Sequence, residues 1–257
     1  MKLNYKQVSD EGQPMVILHG VFGSLDNWAT ISKSIADAGY AVYLVDCRNH
    51  GRSPHADEFT YSAMAADLHE FIQDHQLHNP VLVGHSMGGK TVMHYAMEYP
   101  GTYDKLAIID IGPKDYPIHH QSILEGLNAI PLAELESRQD ADEVFSAYEP
   151  IGAVRQFLLK NLYRTENDSF AWRFNLPVLT SSIANVGIAT PHLRTVEEPT
   201  LFMRGGNSGY VKDSDWEYIK KLFANAELST IPRAGHWVHA EQPKMFVEVL
   251  VKFLSAN

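Results

Sequence analysis

Short apolar runs recur along this chain with helical patterns between them, and that alternation constrains the fold more than any other feature. The runs are MVIL (15–18), AVYLV (41–45), VLVG (81–84), LAIIDI (106–111) and TLFM (200–203). Each is bounded by turn residues and reads as a buried strand. Between them, Tyr61, Met64, Ala65, Leu68, Phe71 and Ile72 share one helical face, with Thr60 available as N-cap. Strands alternating with helices predict a mostly parallel sheet flanked by helices, an α/β fold. A last helix is expected from Pro243, a residue suited to a first helical position, with Phe246, Val249, Leu250 and Phe253 facing inward.

The rhythm stops between about 112 and 199, where SILEGLNAI, DEVFSAY and VRQFLLKNLYR carry helix spacing with no buried strand among them. This stretch reads as a helical insertion lying over the sheet. The expected division is a core formed by 1–111 and 199–257, with a cap at 112–198.

Charge narrows the partners. Asp and Glu outnumber Lys and Arg 31 to 21, a net charge of −10, which repels phosphate backbones and anionic membrane surfaces. Nucleic acid is not an expected partner. No apolar run approaches the roughly 18 residues of a membrane span. The single cysteine, Cys47, has no internal disulfide partner, and the first residues, MKLNYKQVSDEGQP, lack the apolar core of a signal peptide. A cytoplasmic location is the expectation.

The segment PVLVGHSMGGKT (80–91) fits two motifs at once. As G-x-S-x-G, Gly84 to Gly88 form a nucleophile elbow that sets Ser86 on a sharp strand-to-helix turn. As G-x-x-x-x-G-K-[ST], Gly84 to Thr91 form a phosphate-cradling loop, with Asp110 as a magnesium-holding acid. Both need a strand before and a helix after, so the choice comes from elsewhere. His19-Gly20-Val21-Phe22-Gly23 follows the MVIL strand as an oxyanion loop does. His236 lies between a late strand (226–231) and the final helix, and the order Ser86, Asp110, His236 is that of a Ser-Asp-His hydrolase. A nucleotide hydrolase explains none of these.

Over essentially its whole length the chain resembles the α/β-hydrolase superfamily, and within it the YbfF-type esterases. The motifs are HGVFGS (19–24), DCRNHGRS (46–53), GHSMGGK (84–90), DIGP (110–113) and GHWVHAE (235–241). The resemblance implies a mostly parallel eight-stranded sheet flanked by helices, with a helical cap inserted after the sixth strand. It also implies short to medium acyl esters, and acyl-CoA thioesters, as substrates.

The chemistry assigns the roles. Serine attacks an acyl carbon only when a base takes its proton, which Ser86 and His236 supply. The N–H of Met87 and that of Val21, or alternatively of Phe22, are the oxyanion donors. The acid is less direct: after TLFM, where most of these enzymes carry it, the chain reads RGGNSGYV, with Asn207 and Ser208 in place of an Asp. Asp110 ends the preceding strand at the carboxyl edge and is assigned the role, as in the YbfF-type esterases, over Asp213 and Asp215.

Other residues read more plainly. His239 reads as solvated or structural rather than site-lining, Arg48, Asn49 and His50 form a turn, and Lys90 pairs with a neighbour. The histidines show no metal signature and no G-x-G-x-x-G is present, so neither metal nor cofactor is expected. Phe22 is a candidate for substrate contact. In the insertion, Arg155, Lys160, Arg164 and Arg173 form a basic stretch able to hold an anionic CoA substrate. A serine carboxylesterase or thioesterase acting on a small molecule is the functional expectation. The alternatives are a cofactor-free perhydrolase or C–C bond hydrolase, or a ligand-binding receptor of the same fold.

Overall fold

A computed structural model describes residues 1–256. The chain runs through β1 (Tyr5–Gln7), β2 (Gln13–Leu18), α1 (Ala29–Asp37), β3 (Tyr40–Val45), α2 (Tyr61–Asp74), β4 (Val81–His85), α3 (Met87–Glu98) and β5 (Leu106–Ile109). The inserted segment follows, with α4 (Gln121–Ala129), α5 (Arg138–Phe145), α6 (Gly152–Leu159), β6 (Leu162–Arg164), β7 (Phe170–Trp172) and α7 (Leu176–Ser182). The chain then returns through β8 (Thr200–Gly205), α8 (Trp216–Leu222), β9 (Ala226–Ile231), α9 (Val238–Glu241) and α10 (Pro243–Leu254).

The main sheet has the order β1-β3-β2-β4-β5-β8-β9, parallel throughout except for β1. The expected eight strands are therefore seven. A single three-residue strand, β1, covers the β3 edge antiparallel. The other two strands, β6 and β7, pair only with each other. They also correct the reading of the insertion as free of buried strands. Helix spacing ends at Leu159, and Leu162 and Trp172 then face each other across a hairpin whose turn holds Asp168 at φ 60°.

Alternation along the strands builds two cores. Val16, Leu18, Leu82 and Ile108 join one, with Leu68 and Phe71 of α2, Val92 and Met93 of α3, and Leu127 and Phe145 of the insertion. Met15, Ile17, Val83 and Ile109 join the other, against Ile31 and Ile35 of α1 and Phe246 and Leu250 of α10. A sheet covered on both faces explains why its strands read as unbroken apolar runs. Helix α2 starts where expected, the Thr60 hydroxyl accepting from the Ala63 N–H at 3.2 Å. Parallel pairing brings the carboxyl ends of β2, β4, β5 and β8 to one edge, where α/β sheets gather their functional groups.

Candidate active site

Ser86 stands between β4 and α3 at φ 53° and ψ −115°, a conformation an L-residue adopts only when its surroundings impose it. Its N–H donates to Ile109 O and its C=O accepts from Lys90 N–H, both at 3.0 Å. The flanking glycines permit the turn. A Cβ on Gly84 would lie 2.2 Å from Gly88 O, and one on Gly88 would lie 2.6 Å from Leu18 O. Strand, helix and the loop after β2 therefore meet with no room for side chains, and Ser86 is carried to the positive end of α3.

Asp110 follows β5, also in the left-handed region at φ 51°, and is fully buried. Its carboxylate accepts from His236 Nδ1 at 2.7 Å, from Gly205 N–H at 3.0 Å and from the Ser208 hydroxyl. Ser208 occupies the stretch where an acid was expected, and it donates to the acid that β5 supplies. An oxygen acceptor facing Nδ1 fixes the proton there and leaves Nε2 free to accept one. Tyr210 stacks on the His236 ring at 4.0 Å, while His85 Nε2 donates to His236 O at 2.8 Å. Among the described residues Ser86 makes no hydrogen bond to His236, a link that commonly tightens only with substrate bound.

The rival acids are engaged elsewhere. Asp213 pairs with Arg204 and Asp215 with Lys114, each at 2.6 Å. His239 is buried, stacked on Trp28 at 4.2 Å. Lys90 is buried, and its ammonium donates to the carbonyls of Lys114 and, at 2.9 Å, Ile188, near the two ends of the insertion. Burial lowers its pKa to about 7. Arg48 pairs with buried Asp67 of α2 at 2.6 Å, and Asn49 accepts from the Asn175 N–H of the insertion at 2.9 Å. This turn is thus tied to neighbouring elements as well as by its own backbone bonds, Asn49 N–H to Pro54 O and His50 N–H to Cys47 O. Burial, with Asp46 and Asp67 nearby, pushes the Cys47 thiol well above its usual range.

Ser86 and Met87 line a narrow cavity together with Tyr61, Tyr116, His120 and Tyr210. Val21 and Phe22 lie in the adjoining loop, where a Cβ on Gly20 would sit 3.3 Å from Ser86 Cβ. The Phe22 side chain is buried against His120 and Phe174, outside the cavity lining. The basic stretch is not brought to this cavity. Arg155 is bound to Asp142 at 2.8 Å and Arg164 to Asp168 at 2.7 Å, while Lys160 lines a separate surface cavity with Arg138 and Gln156. Among the described residues no cluster of His, Cys, Asp or Glu has metal-binding geometry, and no helix is long and apolar enough to cross a membrane.

Comparison with known proteins agrees with this fold. A family model described as alpha/beta hydrolase fold matches residues 13–137. The chain is 35% identical to the esterase YbfF of Escherichia coli K12, over 99% of this chain and all of that one. It is 37% identical to the sn-1-specific diacylglycerol lipase ABHD11 of Mus musculus, over 94% of this chain and 80% of that one. A marine microorganism esterase of known structure superposes with a TM-score of 0.95 at 39% identity, covering 98% of this chain and 99% of that one. The chain belongs to the α/β-hydrolase family, and within it to the ester hydrolases.

Proposed function

We propose that the protein is a serine carboxylesterase that cleaves short- to medium-chain acyl esters with Ser86 as nucleophile, His236 as general base and acid, and Asp110 as the group that orients it. The observation that carries this reading is the 2.7 Å contact of His236 Nδ1 with Asp110 Oδ2, alongside a serine held at a strained strand-to-helix turn. Ser86 Oγ attacks the acyl carbon as His236 Nε2 takes its proton. The N–H groups of Met87 and Val21 receive the oxyanion. His236 then protonates the departing alcohol, and water releases the acid by the same steps in reverse roles. Val21 is preferred to Phe22 because the Phe22 N–H already donates to His50 Nε2 at 3.1 Å.

In this reading residues 112–198 act as the cap that shapes the acyl pocket over a core of 1–111 and 199–257. The working compartment is the cytoplasm, in keeping with the single buried thiol of Cys47. The cavity at Ser86 is narrow and walled by Tyr61, Tyr116, His120 and Tyr210, which favours short acyl chains. With p-nitrophenyl esters, kcat/KM is expected to be highest for acetate to hexanoate and at least about tenfold lower for palmitate. A burst of nitrophenol equal to enzyme should precede steady turnover where deacylation is slow. Equal rates for all chain lengths would remove the pocket from the account. Acyl-CoA thioesters undergo the same steps, but Arg155 and Arg164 already have carboxylate partners. Neutralising Arg155, Lys160 and Arg164 together should therefore leave KM for butyryl-CoA unchanged, and a tenfold rise would assign these residues to CoA.

A further inference from the structure

We propose that Asn161, from the inserted segment, and His50, from the turn after β3, are positioning residues for ester hydrolysis. They hold the two peptide groups flanking Phe22 and so keep the neighbouring Val21 N–H aimed at the oxyanion. This inference rests on the serine-esterase reading and adds residues outside the Ser86 cavity to it.

The loop after β2 is a tight turn whose bonds can be followed peptide by peptide. Gly20 O accepts from Gly23 N–H at 3.0 Å and from His19 Nδ1 at 2.8 Å. Because a trans peptide points its N–H opposite to its C=O, anchoring Gly20 O fixes the direction of the Val21 N–H. Among the described residues that N–H donates to no protein acceptor, whereas those of Phe22 and Gly23 are both engaged. Of the N–H groups of Val21, Phe22 and Gly23, that of Val21 is thus the one left for a ligand.

Phe22 itself sits at φ 59°, which a bulky L-residue keeps only if its neighbours enforce it. Two contacts do so. On one side His50 Nε2 accepts the Phe22 N–H at 3.1 Å; on the other Asn161 Nδ2 donates to Phe22 O at 2.8 Å. All three residues are buried. A peptide N–H can only donate, so His50 Nε2 carries its lone pair and Nδ1 its proton, which points to Arg48 O at 3.0 Å. Burial lowers the His50 pKa to about 3, keeping the ring neutral and Nε2 an acceptor. The Asn161 amide has equally little choice. Its nitrogen also donates to Leu158 O at 3.1 Å, so a flipped amide would press its oxygen against two carbonyls. Asn161 O in turn accepts from Arg173 N–H at 2.8 Å, seating the residue between α6 and the β6–β7 hairpin.

The HGVFG loop and the RNHG turn, two motifs far apart in sequence, thereby form one unit that is completed only when the inserted segment delivers Asn161. In this account the insertion does more than shape the pocket: it holds the oxyanion loop in register with Ser86. Displacing a reacting group by about 1 Å is enough to lower a rate by about a hundredfold.

The test uses the full chain and p-nitrophenyl acetate, with rates normalised to active sites counted by fluorophosphonate labelling. Asn161→Leu removes the donor at nearly constant volume, and Asn161→Asp turns it into a repelling acceptor. Both are expected to lower kcat per labelled site by about tenfold or more while KM changes less than about threefold. Binding of an alkyl boronic acid, whose adduct carries the oxyanion, should weaken in parallel. His50→Leu should behave likewise, and His50→Gln, which returns an acceptor near the Nε2 position, should recover part of the loss. The inference is overturned if these variants keep wild-type kcat per labelled site, including where only the count of folded sites or the melting temperature falls. If the wild type itself takes no label, the serine-esterase reading fails first.

Discussion

Asp110→Asn is expected to keep the fold and lower kcat by about 10⁴-fold, the loss seen when the acid of a Ser-His-Asp triad loses its charge. Asp213→Asn and Asp215→Asn should stay within about twofold of wild type. The reason lies in the donors that converge on Asp110. His236 Nδ1, Gly205 N–H and the Ser208 hydroxyl all meet one fully buried carboxylate. An amide offers them a single oxygen. If the amide oxygen in the Asp110→Asn variant stays on the backbone N–H of Gly205, the amide NH₂ faces the imidazole, which must then carry its proton on Nε2 and can no longer accept one from Ser86. Asp213 and Asp215 sit on ion pairs with Arg204 and Lys114, so their neutralisation touches only exposed or partly exposed salt bridges, each worth about 0–1 kcal/mol. Steady-state kinetics on the three variants, with circular dichroism to check folding, decides the matter. Full activity in Asp110→Asn would remove that residue from the site.

The second large effect concerns stability in mild acid. His19, His50 and His239 are fully buried, and burial lowers their pKa values to about 4, 3 and 3; for His50 the neighbouring His19 adds to the shift, and for His239 the neighbouring His236 does. An imidazole in the unfolded chain titrates near 6.5. Below that pH the unfolded state takes up protons that the folded state refuses. Stability is therefore complete above 6.5 and falls as pH drops from there toward 4. Between pH 6.5 and 5.5 each ring should cost about 1 kcal/mol, about 3 kcal/mol for these three, a large share of a domain's typical 5–15 kcal/mol. His85, His94 and His120, lowered by burial in the same way, add to the fall. Urea unfolding at pH 7.5, 6.5 and 5.5 at constant ionic strength measures this. His239→Phe, which keeps an aromatic ring against Trp28, should remove about 1 kcal/mol of that fall. A flat profile between 6.5 and 5.5 would mean that these rings take up protons in the folded state.

How far the sequence reveals this site depends on how local each determinant is. The buried parallel strands were legible because two covered faces demand unbroken apolar runs, and the start of α2 because Thr60 caps it within three residues. β1 was not, since Tyr5, Lys6 and Gln7 are exposed and owe their strand to pairing with Tyr43–Val45. The β6–β7 hairpin was hidden for a related reason. Leu158, Leu159 and Leu162 fit a helical stripe, and only the cross-strand pairing of Leu162 with Trp172 distinguishes the two readings. Ser86, Asp110 and His236 stood out because turns and strand ends give them sequence signatures. Ser208 was read as a missing acid; its hydroxyl is instead a partner of the acid 98 residues earlier. The Asn161 contact with Phe22 spans 139 residues, and no periodicity or motif registers a bond of that range.

The central claim is that Ser86 is the nucleophile and that His236, held by Asp110, activates it. Its most direct test is a fluorophosphonate probe with peptide mapping on wild type and Ser86→Ala. The account predicts one probe per wild-type chain, bound to the peptide containing Ser86, with ester turnover lost in step with labelling and neither label nor turnover in Ser86→Ala. Labelling at another residue, or ester turnover that survives in Ser86→Ala, would contradict it.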